Sequence, residues 1–451
     1  MPQEKFHYKS LEEVKQRAAE LGVDLPFAAD THALAQPLTV RNITFPNRLG
    51  IAPMEGADST PEGAPTEYTT RRYVNEAIGG SAVIWFEAIS IVEEGRSSQT
   101  QLLLTRDTLD EFKKMTTAVK EAGLKANGYA PYLIMQANHS GRYSNPGNKP
   151  APMIAYRHPI LEQYRAADDS CIVTDDYLKG LEEKFGEAAA LAKEAGFDAV
   201  DIKSCHGYLL AELASAYNRP GEYGGSFENR FRLLKNGIRA AKVYEDDSFM
   251  VTARVGIYDG YAYPWGFGVS PESGMTPDLT EPIRLVRDLH NELGLNMVNL
   301  TMGNPYATTH VTRPFDFGKY EPDEHPFVGL SRMIYGIGAV KKAVPEMTVW
   351  ASAPTYLRAY ADLFSAGAVE QGLCDGMLFG RMAFADPDFA NEIVKNGRID
   401  PKRVCLTCGK CGDLIRAHKP TGCVIRDSKT FMPFYKEFLE IKKTQPANFR
   451  G

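Results

Sequence analysis

No stretch of this chain is apolar for long enough to cross a membrane. The richest run, Ser81-Ala-Val-Ile-Trp-Phe86, reads as a single buried strand. The first residues, Met1-Pro-Gln-Glu-Lys-Phe6, carry no apolar signal region. Positive charge is not in excess: the formal net charge is −6 at pH 7, which excludes the footprint of a nucleic-acid binder. A Gly-x-Gly-x-x-Gly turn after a strand is also missing, because Gly336-Ile-Gly338 lacks the third glycine; a doubly wound dinucleotide-binding sheet is therefore disfavoured. Of seven cysteines, Cys171, Cys205 and Cys374 are scattered and four crowd into one run, so no disulfide framework is expected. A reducing cytoplasm is the expected compartment. What remains is a 451-residue chain with 43% hydrophobic and 24% charged residues, enough for one large α/β barrel with additions.

The crowded run is Cys405-x2-Cys408-x2-Cys411-x11-Cys423. Three thiolates at two-residue gaps can wrap three corners of an iron–sulfur cube, and a fourth further on closes it. Gly409, Gly412 and Gly422 are expected to let the backbone approach the inorganic sulfides. A structural zinc ion also takes four thiolates, but zinc ribbons usually present two separate Cys-x2-Cys knuckles. A 4Fe-4S cluster moves single electrons, so a redox partner is expected elsewhere in the chain.

Three regions are expected: an N-terminal extension over 1–36, a barrel over 37–398, and a cluster segment with a Lys-rich tail over 399–451. Ser10-Leu-Glu-Glu13 has a capping-box pattern, and Leu11, Val14, Ala18 and Leu21 recur at helical spacing until Gly22. Strands are expected at Arg48–Pro53, Ala82–Phe86, Tyr132–Gln136, Ala199–Lys203, Met250–Arg254, Met297–Thr301, Thr348–Ser352 and Gly376–Gly380. Amphipathic helices lie between them, such as Leu178, Leu181, Phe185, Ala188 and Ala192, stopped by Gly196, and a second from Thr280 to Gly294. Eight strand–helix units predict a (β/α)8 TIM barrel. Two Pro-, Gly- and Tyr-rich excursions, Ser144–Thr174 and Tyr258–Asp278, follow strand ends and are expected to wall a substrate pocket. The strand ends carry polar residues: Gln136, Lys203 with Cys205, His206 and Tyr208, Arg254, and Gly380-Arg381.

Taken with those strand ends, several segments resemble the old yellow enzyme group of flavin oxidoreductases, in its iron–sulfur branch with 2,4-dienoyl-CoA reductase and trimethylamine dehydrogenase. They are Pro46-Asn-Arg48 with Ala52-Pro-Met54, Gln136-Ala-Asn-His-Ser-Gly-Arg142-Tyr143, His206-Gly-Tyr208, Asn218-Arg219, Tyr223 to Arg230, Gly380-Arg381 and the four cysteines. The resemblance implies noncovalent FMN at the barrel mouth, with Ala52, Pro53, Met54 and Ala88 along the isoalloxazine and Gln136 on its pyrimidine edge. Arg254 would sit near N1 and O2, and Ser352, Ala353, Gly380 and Arg381 would hold the phosphate. Tyr208 would donate a proton to the α-carbon of an activated alkene, while His206 and Lys203 would hold a substrate oxygen or carboxylate.

The chain departs from the branch in three places. Lys203 replaces the usual His of a His-x-x-His or His-x-x-Asn pair, and could instead pair with Asp201. Pro305 stands where dienoyl-CoA reductases carry a histidine, leaving Tyr306 or His310 for that work. No cysteine near Glu55 offers a covalent flavin link. His139 is expected to be structural. The implied function is ene-reduction of a C=C bond conjugated to a carbonyl or carboxyl group. An amine dehydrogenase of the trimethylamine type, with Tyr258, Tyr261, Tyr263 and Trp265 as an aromatic bowl, is the alternative, together with an electron-relay subunit. The chain ends at Gly451 without dinucleotide-binding domains, so electrons are expected from NADH or NADPH at the flavin, or from a separate flavoprotein or ferredoxin through the cluster. Beyond the small unsaturated substrate, a second copy in a homo-oligomer is the remaining partner considered; membrane and nucleic acid are not expected.

Overall fold

A computed structural model describes residues 4–272, 274–317 and 320–444. Within it a short antiparallel hairpin, β1 (Leu38–Val40) and β2 (Ile43–Phe45), precedes eight parallel strands. These are β3 (Leu49–Ile51), β4 (Val83–Ser90), β5 (Tyr132–Asn138), β6 (Ala199–Ser204), β7 (Met250–Gly256), β8 (Met297–Thr301), β9 (Thr348–Ser352) and β10 (Gly376–Phe379). They pair in chain order, and β10 pairs with β3 to close a barrel. The expected (β/α)8 barrel is the observed fold. Its strands are buried along nearly their whole length because helices cover the outside and side chains fill the inside, so their sequences run apolar instead of alternating.

One end of the barrel interior is plugged by Val83, Trp85, Ile134, Ala199, Met250, Met297, Trp350 and Leu378, roofed by Leu38, Val40 and Phe45 of the hairpin. Trp85 and Trp350 are fully buried there. Gly376 makes room for one of them, since a Cβ at that position would lie 2.5 Å from the Trp350 ring. With this end filled, polar side chains can converge only at the other end, beyond the strand C-termini.

The expected strands are all present; β8 and β9 match to the residue, and the other six have shifted ends. β3 stops at Ile51, before Pro53, whose nitrogen cannot join a ladder. β4 runs on to Ser90, past the expected Phe86, because a register shift between Trp85 and Ala88 breaks its sequence pattern. The hairpin, with strands of three residues each, was not expected. The N-terminal helix spans Leu11–Glu20 with the Ser10 side chain accepting from Glu13 N–H, but Glu13 turns back to Lys9 N–H instead of Ser10, so the box is only half formed. This N-terminal segment lies along the barrel flank, with Ala28 N–H donating to Leu363 O at 3.0 Å and Phe6 N–H to Asp316 Oδ2 at 2.9 Å.

The cysteine segment is seated on the barrel. Helices Lys410–Arg416 and Ser428–Thr444 pack on each other through Leu414, Val424 and Phe431. Against helix Glu67–Ile78 they set an Arg71–Asp427 ion pair at 2.8 Å and the Phe434 ring edge-on to Tyr68 at 5.6 Å. The end of the expected tail, 445–451, lies outside the described residues.

Trp350→Ala should leave an unfilled hole in the barrel plug and cost about 3–5 kcal/mol of stability. Urea unfolding should show a lower midpoint at unchanged slope, whereas an unchanged midpoint would deny Trp350 its packing role.

Candidate functional site

Register decides which side chains reach the open end. Ala88 of β4 pairs with Gln136 of β5, which pairs with Asp201 of β6. One layer nearer the mouth, Lys203 of β6 pairs with Arg254 of β7, and Arg254 with Asn299 of β8. Neighbours in register point to the same face, so the two layers line the interior in sequence. Gln136 Nε2 donates to Asp201 Oδ2 at 2.6 Å, and Trp85 Nε1 donates to the same oxygen at 2.8 Å. Burial pushes the Asp201 carboxyl up to about 6 against the pull of those two bonds.

Much of this polar end is unsatisfied from within. Gln136 Oε1, Asp201 Oδ1, His206 Nε2, Arg254 Nε, Thr301 Oγ1 and both amide atoms of Asn299 are buried without a hydrogen-bond partner among the described residues. Buried polar atoms are rarely left so, and their concentration on β5 to β8 fits a polar ligand with several donors and acceptors on its edge. The residues present therefore suit a flavin ring. Asn299 joins the expected residues; mid-strand in Met-Val-Asn-Leu-Thr, it carried no motif that would have singled it out.

Beyond β6 the chain turns sharply, with His206 at φ 67° and Gly207 at φ 70°. A Cβ at position 207 would lie 2.0 Å from Asn304 Nδ2, so only glycine fits. The turn delivers Tyr208 to the mouth, where its hydroxyl lies 2.8 Å from that of Tyr306. Tyr306 stacks on Tyr143 with ring centroids 3.7 Å apart. Thus Tyr306 takes the place beside Tyr208, while His310 is occupied with the Tyr320 hydroxyl at 2.7 Å. Tyr143 accepts from Asn304 Nδ2 at 3.3 Å, and its neighbour Arg142 is fully buried against Glu212. His139 is buried between Tyr177 and the Gly141 N–H, and burial drops its ring to about 4, as expected of a structural histidine.

Burial, then the nearby Glu55 and Tyr306, raises the Tyr208 phenol well above its usual range. Burial lowers His206 well below its usual value, aided by Arg254 and Lys203, so the ring is neutral. Burial brings the Lys203 ammonium down to about 8, resisted by Cys205 and Glu55. Its Nζ sits 3.9 Å from the centre of the Tyr208 ring. No ion pair joins it to Asp201.

The segment after β3 carries Ala52, Pro53 and Met54 past the mouth and is held by a buried charge network. Arg72 donates to Met54 O at 3.1 Å, to Glu87 Oε1 at 2.6 Å and to Asp58 Oδ2 at 3.2 Å, while Gly56 N–H donates to Glu87 Oε2 at 2.9 Å. At the other side of the closure, Ser352 ends β9, Ala353 follows it at φ 75°, and Gly380 and Arg381 follow β10. A Cβ on Gly380 would approach Met54 Sδ to 3.1 Å, so these two segments meet.

Cys405, Cys408, Cys411 and Cys423 line one cavity of about 20 Å³, together with Arg381, Thr407 and Arg426. Among the described residues no three His, Cys, Asp or Glu side chains stand close enough to hold a single metal ion. Four thiols around one cavity are a donor set that suits an iron–sulfur group. Gly422 also has a packing role: a Cβ there would meet the Phe431 ring at 2.2 Å. Of the basic residues near the thiols, Arg403 is tied to Asp386, Asp388 and Glu392, Arg416 to Asp413 and Lys419 to Glu437. Among the described residues, Arg381, Lys410, Arg426 and, unexpected from sequence, Arg313 have no carboxylate partner. Burial and the neighbouring Arg381 lower Arg313 to about 10, and the nearby Cys411 resists.

The two excursions meet each other. His158 of the first is 2.9 Å from Trp265 O of the second, and Tyr156 stacks parallel to the Trp265 ring at 6.2 Å. Of the four aromatics expected as a bowl, Tyr261 and Trp265 pack in one cluster with Leu161 and Ala307, while Tyr258 donates to Met275 O and Tyr263 rests on Tyr217.

The family model of the NADH:flavin oxidoreductase / NADH oxidase family matches residues 33–265, just over half of the chain. The chain belongs to that family. An NADPH dehydrogenase of Bacillus velezensis is 34% identical over 223 residues, a match spanning 48% of this chain and 62% of the relative. Among solved structures, a 2-naphthoyl-CoA reductase in complex with 2-naphthoyl-CoA superposes with a TM-score of 0.71 at 18% identity, covering 90% of this chain and 58% of the other. The old yellow enzyme homologue of Zymomonas mobilis gives 0.58 at 20% identity, covering 81% of this chain and 94% of that one. At such identities the structures share the fold. The family match covers β3 to β7, the strands that supply the mouth's Met54, Gln136, Lys203, Tyr208 and Arg254, and stops short of the cysteine run.

Arg72→Met should strand the buried Asp58 and Glu87 carboxylates and cost about 3–5 kcal/mol in a urea titration. The same variant should lose flavin more readily on dialysis, since the 52–58 segment loses its tether; wild-type stability would refute the network's role.

Proposed function

We propose that this flavin oxidoreductase is an FMN- and 4Fe-4S-dependent ene-reductase acting on a C=C bond conjugated to a carbonyl or carboxyl group. The observation that carries the reading is the Tyr208 hydroxyl, buried at the barrel mouth and bonded to a second phenol. Membership of the family supports the flavin, and the unpartnered atoms of Gln136, Arg254 and Asn299 support its place. FMN, when bound, supplies hydride at N5. Ala52, Pro53, Met54, Ala88, Gln136 and Arg254 would face its ring, and Ser352, Ala353, Gly380 and Arg381 its phosphate.

Tyr208 keeps its proton at working pH because its phenol is pushed upward, and releases it only to the strongly basic carbon that develops beside the carbonyl. Tyr306 is 39% exposed whereas Tyr208 is 5% exposed, so Tyr306 is the route by which Tyr208 regains a proton from water. His206, neutral and with a free Nε2, donates to the substrate oxygen where negative charge grows.

Cys405, Cys408, Cys411 and Cys423 would hold the cluster. A 4Fe-4S cluster, when bound, supplies single-electron transfer. NADPH is the donor that the relative's name supports and NADH the one in the family's description, and a flavoprotein or ferredoxin is the donor that the cysteine segment would serve.

Replacing Tyr208 with Phe should lower alkene reduction by about 10²- to 10⁴-fold while reduction of the bound flavin by its donor proceeds as in wild type. Stopped-flow absorbance separates the two halves. Alkene reduction at the wild-type rate in the variant would sink the proposal.

A further inference from the structure

Lys203 is a cation the proposed reaction leaves unexplained. It is 5% exposed, and no hydrogen bond or ion pair reaches it among the described residues. Neither carboxyl that acts on it forms an ion pair with it: Asp201 accepts from Trp85 and Gln136 on Oδ2, and Glu55 accepts from Ser97 on Oε1 at 3.1 Å. Its Nζ lies over the face of the Tyr208 ring, 3.9 Å from the centroid. Arg254, its register neighbour, is equally without a carboxylate, but one fixed cation suffices for the electron-rich edge of a flavin ring.

A buried ammonium without a partner is costly and is kept where an anion arrives. The ammonium lies against Tyr208, three residues before His206, so that anion belongs to the substrate. We propose that Lys203 is a carboxylate-recognition residue that selects unsaturated acids over the corresponding ketones, esters and amides. The inference rests on the ene-reductase reading for its substrate, but not for its binding. A flexible point charge on a four-carbon stem suits a carboxylate, whereas a ketone needs only the neutral donor of His206.

The charged and titratable groups around Lys203 are Cys205 and Asp201 on its own strand, Glu55 from the segment after β3, Arg254 from β7 and the Tyr208 phenol. Burial sets the ammonium near 8, so it is charged at neutral pH and loses its proton as pH rises through about 8. Affinity for a carboxylate should therefore fall above that value, and affinity for an amide should not.

The test is calorimetric titration of anaerobic, flavin-loaded enzyme with benzoate and with benzamide, two planar probes of one shape and different charge. Wild type should bind benzoate at least about tenfold more tightly than benzamide, with the preference fading between pH 7 and 9. Lys203→Gln should lose about 30-fold or more toward benzoate and change little toward benzamide, whereas Lys203→Arg should keep most of the preference. Flavin absorbance of each variant checks that the site is intact. Wild type that prefers benzamide or binds no benzoate at millimolar concentration, or Lys203→Gln that binds benzoate as wild type does, overturns the proposal. Enzyme that binds benzoate through Lys203 yet reduces no alkene leaves this site standing and removes the ene-reductase reading alone.

Discussion

Register between parallel strands is the constraint on which the rest of this protein depends. Side chains alternate faces along a strand, so a slip of one residue would turn Gln136, Asp201, Lys203, Arg254 and Asn299 out among the helices. Two features fix it. The apolar plug around Trp85 and Trp350 fills one end and demands those side chains inside. The Asp201 carboxylate then ties three neighbouring strands together, since Trp85 comes from β4 and Gln136 from β5. The same bond that positions Gln136 leaves its carbonyl oxygen free toward the mouth.

A second dependence joins the cysteine segment to the barrel mouth. Thr421 N–H donates to Gly56 O at 2.8 Å, in the loop whose Gly56 N–H is held by Glu87. Cys405 N–H points at Met382 Sδ at 3.4 Å, one residue beyond Arg381. Arg381 therefore stands between the end of β10 and the four thiols, touching both regions. Under the proposed function, a fixed, short connection of this kind would serve electron exchange between the flavin and the cluster.

The barrel was legible because eight apolar runs alternate with helical periodicity, and such patterns survive errors of a few residues at each end. Tyr208, His206 and Arg254 were legible because they follow strands and carry a family motif. The β1–β2 hairpin was not, since three-residue strands are too short to show a period. Asn299 and Arg313 escaped for a different reason: each matters through what surrounds it in space, an unanswered amide in one case and a cation among thiols in the other. Gly422 shows the converse, a glycine whose place beside a cysteine gave no hint of the Phe431 ring packed against it.

The account stands on a flavin in the barrel mouth and an iron–sulfur group among the four thiols. Protein purified without air, analysed for flavin, iron and acid-labile sulfide, tests both at once. The expected composition is about one FMN, four iron and four sulfide per chain, with the iron lost and the flavin retained when Cys411 is replaced by Ser. Colourless protein, or protein carrying zinc on those sulfurs, would contradict it.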